Sequence, residues 1–173
     1  MSEARKPDVG ADAFFALDLR VGRVIGVADA VLAPLVAEAL LRLGRRHALV
    51  FRGEDGLDEL TTTGPSRMWE VRDGRVSETL FDPASLGVAR ARPEDLLGGE
   101  VDANLRVADT VLSGVEGPAA DVVALNAAAA LYVADAVPDI GAGLALARAT
   151  LAAGTAAQLR DRWVARTKEL AAS

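Results

Sequence analysis

Between residues 19 and 51 an apolar run of strand length, a run with helical period and a second strand-length run follow one another, and few folds accept that order. LRVGRVIGVA, residues 19–28, is rich in Val and Ile and reads as a strand. AVLAPLVAEALLRL, residues 30–43, sets Val31, Leu32, Leu35, Val36, Ala39, Leu40 and Leu43 on one helical stripe. Asp29 suits its N-cap and Gly44 the position after its end. Pro34 predicts a kink, or a helix that begins at Pro34 itself. HALVF, residues 47–51, is the second strand. Strand, helix, strand over some thirty residues is a βαβ unit with a parallel pair and a right-handed crossover, so the fold class is α/β.

SRMWEV and VSETLF flank Arg72-Asp73-Gly74-Arg75, and a central Asp-Gly between alternating runs predicts a β-hairpin extending the sheet. Residues 83–99, with Pro83, Gly87, Pro93, Gly98 and Gly99, read as a loop with short turns. Beyond them the chain is alanine-rich, with helices expected at 100–113, 118–135, 139–153 and 155–170. PAADVVALNAAAALYVA is apolar on most faces and is expected to be the most buried of these. Hydrophobic residues make up 51% of the chain but aromatics only 4%, so the core must be built from Ala, Val and Leu. Residues 1–12, polar and carrying Pro7 and Gly10, read as a disordered lead, and residues 13–173 as a single α/β domain.

The net charge of −6 and pI of about 4.8 argue against nucleic acid and anionic membranes as partners, since both require a basic face. The absence of cysteine excludes disulfides and thiolate metal sites, and a single histidine, His47, disfavours a histidine zinc site. The N-terminus lacks the apolar core of a signal peptide, and no apolar run reaches membrane-spanning length. A cytoplasmic protein is expected.

GEDGLDELTTTG, residues 53–64, carries the most chemistry. It follows the second strand at its carboxyl end, the edge where open α/β sheets bind ligands. It holds Glu54, Asp55, Asp58 and Glu59, the last two adjacent. Mg²⁺ takes oxygen ligands and often uses one or two carboxylates with substrate phosphates and water, so Asp58 and Glu59 are candidate ligands and Glu54 and Asp55 looser ones. The competing reading is a solvated acidic turn. Thr61, Thr62, Thr63 and Gly64 offer hydroxyls and N–H groups to an anion, or form a β-rich connection to the hairpin. Asn126 lies in an apolar helix and needs partners if buried, either anchoring a loop or touching a ligand. His47, Trp69 and Trp163 read as structural, and Arg160, Arg162 and Lys168 as a solvated helix face. Neither standard glycine-rich phosphate loop is present, nor a Ser/His/Asp set, and no catalytic residue is assigned.

Taken together, PLVAEALLRLGRRHALVF, GEDGLDELTTTGPSRMWEVRDG, DPASLGVARARPEDLLGG and SGVEGPAADVVALNAAAALYVAD resemble the C-terminal half of anthranilate phosphoribosyltransferases over residues 25–172. The resemblance implies a partial nucleoside phosphorylase/phosphoribosyltransferase-type α/β domain. It implies transfer of phosphoribosyl from phosphoribosyl pyrophosphate to anthranilate, a step of tryptophan biosynthesis, with Asp58 and Glu59 binding the accompanying Mg²⁺. The family's GTGGD-type loop, the Asn-Ser-Thr cluster after it, the anthranilate-contacting segment and the N-terminal helical domain have no counterpart in these residues. Arg52 stands where the family typically has histidine. The expectation is a fragment or chimera with weak or no activity alone, which a separate N-terminal half would complement.

FFALDLRVGRV, residues 14–24, resembles the opening strand of tRNA-binding OB-fold domains, one strand of a barrel that needs about five. It implies, as alternatives, a tRNA-binding or chaperone-like module, or a non-functional remnant.

Overall fold

The computed structural model describes residues 23–27 and 29–172. Its first strand, β1 (Arg23–Gly26), is followed by helix α1 (Leu32–Arg42) and strand β2 (His47–Gly53). β1 and β2 run parallel, with Arg23 opposite Ala48 and Gly26 opposite Phe51, so the βαβ unit forms as expected. β3 (Ser66–Arg72) and β4 (Arg75–Phe81) add antiparallel to give one mixed sheet in the order β1-β2-β3-β4. The β3–β4 turn is the two residues Asp73 and Gly74, with φ of 51° and 74°. Left-handed conformation at both positions matches the right-handed twist of the strands, which is why Asp-Gly signals this turn so well.

The kink expected at Pro34 does not arise. The Asp29 carboxylate accepts from the N–H groups of Val31 (2.7 Å) and Leu32 (3.1 Å), and the helix starts at Leu32. Pro34 therefore falls in the first turn, where a backbone N–H has no intrahelical partner to lose. The helix ends as expected, with Gly44 at φ 73°.

Successive β2 residues face opposite layers. Ala48 and Val50 pack with Ala33, Ala37 and Leu40 of α1 and with Trp69 and Val71 of β3. Leu49 and Phe51 point the other way, into a core completed by the C-terminal helices. A strand buried on both faces reads as an unbroken apolar run, which HALVF is. β4 is mostly exposed, as suits the sheet's edge.

Two short 3₁₀ turns, Pro83–Leu86 and Pro93–Leu96, lead to α2 (Val101–Leu112), α3 (Pro118–Val133), α4 (Ile140–Ala152) and α5 (Thr155–Ala171). α3 is the most deeply buried, as expected: Ala124, Leu125, Ala128, Ala129 and Val133 are at most 2% exposed, whereas α4 buries Ile140, Leu144, Ala147 and Leu151 less completely. Small residues let the two axes close together: a Cβ on Gly143 would lie 2.8 Å from the Ala128 carbonyl oxygen. α5 buries no residue, and its Trp163 is 70% exposed. No single helix among the described residues is long and apolar enough to cross a membrane.

Candidate functional site

The loop from Glu54 to Pro65 leaves the carboxyl end of β2 and folds back over the end of β1. The Val27 N–H donates to the Phe51 carbonyl (2.9 Å), closing the parallel pair beneath it. At Gly26 the loop and strand meet so closely that a Cβ would lie 1.4 Å from the Asp58 carbonyl oxygen. Gly53 leaves similar room, since its Cβ would meet Asp55 Oδ1 at 2.1 Å. Backbone bonds from Gly53 N–H to Leu57 O (2.8 Å) and from Glu54 N–H to Pro65 O (3.0 Å) tie the loop's two arms.

The four carboxylates divide into two pairs. Glu54 is taken by Arg67 (3.1 Å), which also binds Glu78 (2.7 Å). Asp55 accepts from the hydroxyls of Thr61 (2.6 Å) and Thr63 and from the Leu57 N–H (3.1 Å). Burial works to raise the Asp55 carboxyl, but these hydrogen bonds outweigh it and hold it below the ordinary value of 3.8. Asp58 and Glu59 are exposed, and neither side chain has a hydrogen bond or ion pair with a described residue. Glu54 and Asp55, the looser metal candidates, are engaged in holding the loop.

The threonines serve that same frame. Thr61 and Thr62 are buried, and the hydroxyls of Thr61 and Thr63 are committed to Asp55 and to each other (3.1 Å). The Thr61 N–H donates to Ser66 Oγ (3.1 Å) and the Thr63 N–H to Thr61 Oγ1 (3.1 Å). The hydroxyls of Thr61 and Thr63 are turned to Asp55, and the stretch is not a β connection, since strand geometry resumes only at Ser66. Thr62 Oγ1 is buried without a hydrogen-bond partner among the described residues.

Asn126, on α3, reaches the loop from the core side. Its Oδ1 accepts from the Leu60 N–H (3.0 Å), and its Nδ2 donates to the Leu60 carbonyl (2.9 Å) and to the Val122 carbonyl (2.9 Å). Of the two roles open to it from sequence, the structure shows the anchoring one. Gly26 and Ser66 also support the loop, and no local sequence pattern marks either for that role.

His47 stands at the far end of β2, about 20 Å from the loop along a seven-residue strand. It is buried, with Nε2 3.1 Å from Glu70 and Nδ1 3.2 Å from Asp135, and its ring meets the Tyr132 ring edge-on at 4.8 Å. Tyr132 donates to Glu70 (2.6 Å) and accepts from Arg72 (3.0 Å). Burial, together with Glu70, pushes the Tyr132 phenol above its usual 10.0, and Arg72 only partly opposes this. The structural reading of His47 holds. Trp69 is buried and donates to Glu78 (3.1 Å), and Arg160 pairs with Asp109 (2.5 Å) and Asp161 (2.9 Å) on the exposed α5.

Asp58 and Glu59 supply two carboxylates whose oxygens have no hydrogen-bond or ion-pair partner among the described residues. Among the described residues no group of three or more His, Cys, Asp and Glu side chains is placed to hold a metal ion. Two carboxylates suit Mg²⁺, which keeps water and substrate oxygens in its shell, and do not form an all-protein cage.

The mixed sheet carries α1 on one face and the C-terminal helices on the other, with a carboxylate loop at its parallel carboxyl edge, which is the ligand-binding arrangement of an open α/β domain. The sequence profile of the glycosyl transferase family, a/b domain, matches residues 19–157, and the chain belongs to that family. Anthranilate phosphoribosyltransferase from Arthrobacter sp. (strain FB24) is 49% identical over 150 residues, covering 83% of this chain and 42% of that protein. Anthranilate phosphoribosyltransferase 2 of Streptomyces coelicolor is 49% identical over 141 residues, covering 82% of this chain and 42% of its own length. The crystal structure of the anthranilate phosphoribosyltransferase from Thermus thermophilus aligns with a TM-score of 0.74 at 42% identity, over 81% of this chain and 41% of that one. The Saccharomyces cerevisiae enzyme in complex with phosphoribosyl pyrophosphate and Mg shares the fold, with a TM-score of 0.70 at 23% identity over 79% of this chain and 40% of its own. The chain therefore spans about two-fifths of the length of the relatives it matches. Of the OB-fold-like segment, residues 14–24, only Arg23 and Val24 are described, and they open β1. Residues 19–24 fall within the transferase match, and the rest of the segment, with the disordered lead expected at 1–12, lies outside the described residues.

Proposed function

We propose that this chain is the metal-binding side of an anthranilate phosphoribosyltransferase site, with Asp58 and Glu59 holding Mg²⁺ for phosphoribosyl pyrophosphate. The observation that carries this reading is the division of the acidic loop: two carboxylates build it, and two stand exposed at the sheet's carboxyl edge without a partner among the described residues. Mg²⁺, when bound, neutralises pyrophosphate and makes it a better leaving group. The chain's own contribution is to present two carboxylates on a fixed backbone, so that the reacting sugar carbon is oriented toward the anthranilate amine. Nothing in these residues supplies the glycine-rich phosphate cradle or the anthranilate contacts. Alone, these residues are expected to turn over weakly or not at all, and the part of a full-length relative that they do not span is expected to complete the site. This reading places the protein in the cytoplasm, as a participant in tryptophan biosynthesis.

The test is formation of phosphoribosyl anthranilate from phosphoribosyl pyrophosphate, anthranilate and Mg²⁺. The chain is assayed alone and with the N-terminal part of the Arthrobacter relative. Turnover is expected only in the mixture, and the Asp58→Asn plus Glu59→Gln variant is expected to lower it by about 10²-fold or more. Turnover undiminished in that variant removes the role given to the pair, and no turnover in the mixture removes the enzymatic reading.

A further inference from the structure

Asn126 lies among the apolar residues of α3, and its amide makes three hydrogen bonds. Two of them close on one residue, Leu60, through both its N–H and its carbonyl. Leu60 is fully buried, and no other described residue bonds to either of those backbone groups. Buried backbone groups must be paired, and a short side chain that donates and accepts side by side is an amide. The third bond, to the Val122 carbonyl one turn back, fixes the amide's own orientation.

Leu60 directly follows Glu59. Within the acidic pair, the Asp58 carbonyl, part of the peptide that joins Asp58 to Glu59, rests against Gly26. The two exposed carboxylates therefore sit on a two-residue span held at its central peptide by a strand glycine and at its downstream end by a helix amide. Asp55 braces the span from below through Thr61 and Thr63 but does not touch it.

We infer that Asn126 is a positioning residue for the divalent cation: by clasping the Leu60 backbone it sets the separation and direction of the Asp58 and Glu59 carboxylates. This rests on the Mg²⁺ reading of that pair. Residues that orient metal ligands without touching the metal typically change affinity by about 10- to 100-fold when removed.

The test uses the full chain, labelled with ¹⁵N, and Mn²⁺ as a paramagnetic probe of backbone amides. In the unmodified chain, Mn²⁺ is expected to broaden the Asp58 and Glu59 amides first. Asn126→Ala and the near-isosteric Asn126→Asp are expected to need about 10-fold or more Mn²⁺ for the same broadening. Asn126→Ala is expected to lose exchange protection of the Leu60 amide while the rest of the spectrum is kept, whereas in Asn126→Asp a carboxylate oxygen still accepts from that amide and the bonds lost are those donated to the Leu60 and Val122 carbonyls. Leu151→Ala, which opens a cavity in α4 far from the loop in sequence, serves as the comparison: it lowers stability and leaves Mn²⁺ affinity in place. If Asn126→Ala does not fold, Asn126→Asp carries the measurement. Wild-type Mn²⁺ affinity in the Asn126 variants overturns this inference alone, as does equal weakening in Leu151→Ala. Absence of Asp58 and Glu59 broadening in the unmodified chain overturns the Mg²⁺ reading together with it.

Discussion

The last residue of β1, Gly26, carries the carbonyl of Asp58 directly on its Cα, with the position of a Cβ only 1.4 Å from that oxygen. Backbone, not a flexible side-chain end, occupies the space. Gly26→Ala must therefore lift the acidic loop off the strand. The expected cost is about 1–3 kcal/mol, the usual range for overpacking a close contact, read as a lower midpoint in urea. Mn²⁺ broadening at Asp58 and Glu59 should weaken in the same variant, because the peptide that joins them has lost its seat on Gly26.

Asp55 makes a prediction about acid. Its folded-state value is depressed, so its hydrogen bonds contribute stability above the ordinary carboxylate range and lose that contribution as pH falls through the lowered value. The acid limb of a melting-temperature profile should therefore be shallower in Asp55→Asn, which has no proton to take up. At neutral pH that variant should be less stable by about 1–3 kcal/mol, since Thr61 and Thr63 lose a charged acceptor. Equal acid limbs in the two proteins would count against Asp55 as the loop's organiser.

What is legible in the sequence is local, and what is not is long-range. The βαβ pattern, the Asp73-Gly74 turn and the helix boundaries depend on period and on backbone preference within a few residues, and these emerge nearly as read. Pro34 causes no kink because the Asp29 carboxylate reaches Leu32 and no farther, so the helix starts two residues before the proline. Asp58 and Glu59 stand out as candidates by their adjacency, but sequence does not show what Asp55 does instead, because its hydroxyl partners become neighbours only when the loop closes. Asn126 is legible as a polar residue needing partners, yet Leu60 lies 66 positions away. Gly26 reads as an ordinary strand glycine, and only the folded loop gives it a reason.

Tyr132 is the chain's single tyrosine, so its ionisation can be followed alone by ultraviolet absorbance. Burial and Glu70 favour the neutral phenol, and the midpoint should lie above 10.0 in the folded protein. The sign follows: a folded value raised above the unfolded one gives stability that is complete below the unfolded value and is lost as pH rises through the folded one. Tyr132→Phe should remove this alkaline loss and cost about 1–2 kcal/mol at neutral pH through the bonds to Glu70 and Arg72. Mn²⁺ binding should not change, since the cluster stands at the opposite end of β2 from the acidic loop. A midpoint at or below 10.0 would mean that the Tyr132–Glu70 contact does not persist in solution.

Gly143 tests the helical layer that supports Asn126. The Ala128 carbonyl oxygen would lie 2.8 Å and the Ala128 Cβ 3.1 Å from a new Cβ at this position. Gly143→Ala gains helix propensity worth about 1 kcal/mol, and the clash is expected to outweigh it, for a net loss of about 1–2 kcal/mol. The two terms have opposite signs, so the measurement decides between them. A loss in urea midpoint places α3 and α4 in tight contact at Ala128. A gain would mean that the helices separate at little cost, and the Asn126 clasp would then sit on a layer able to move relative to the sheet.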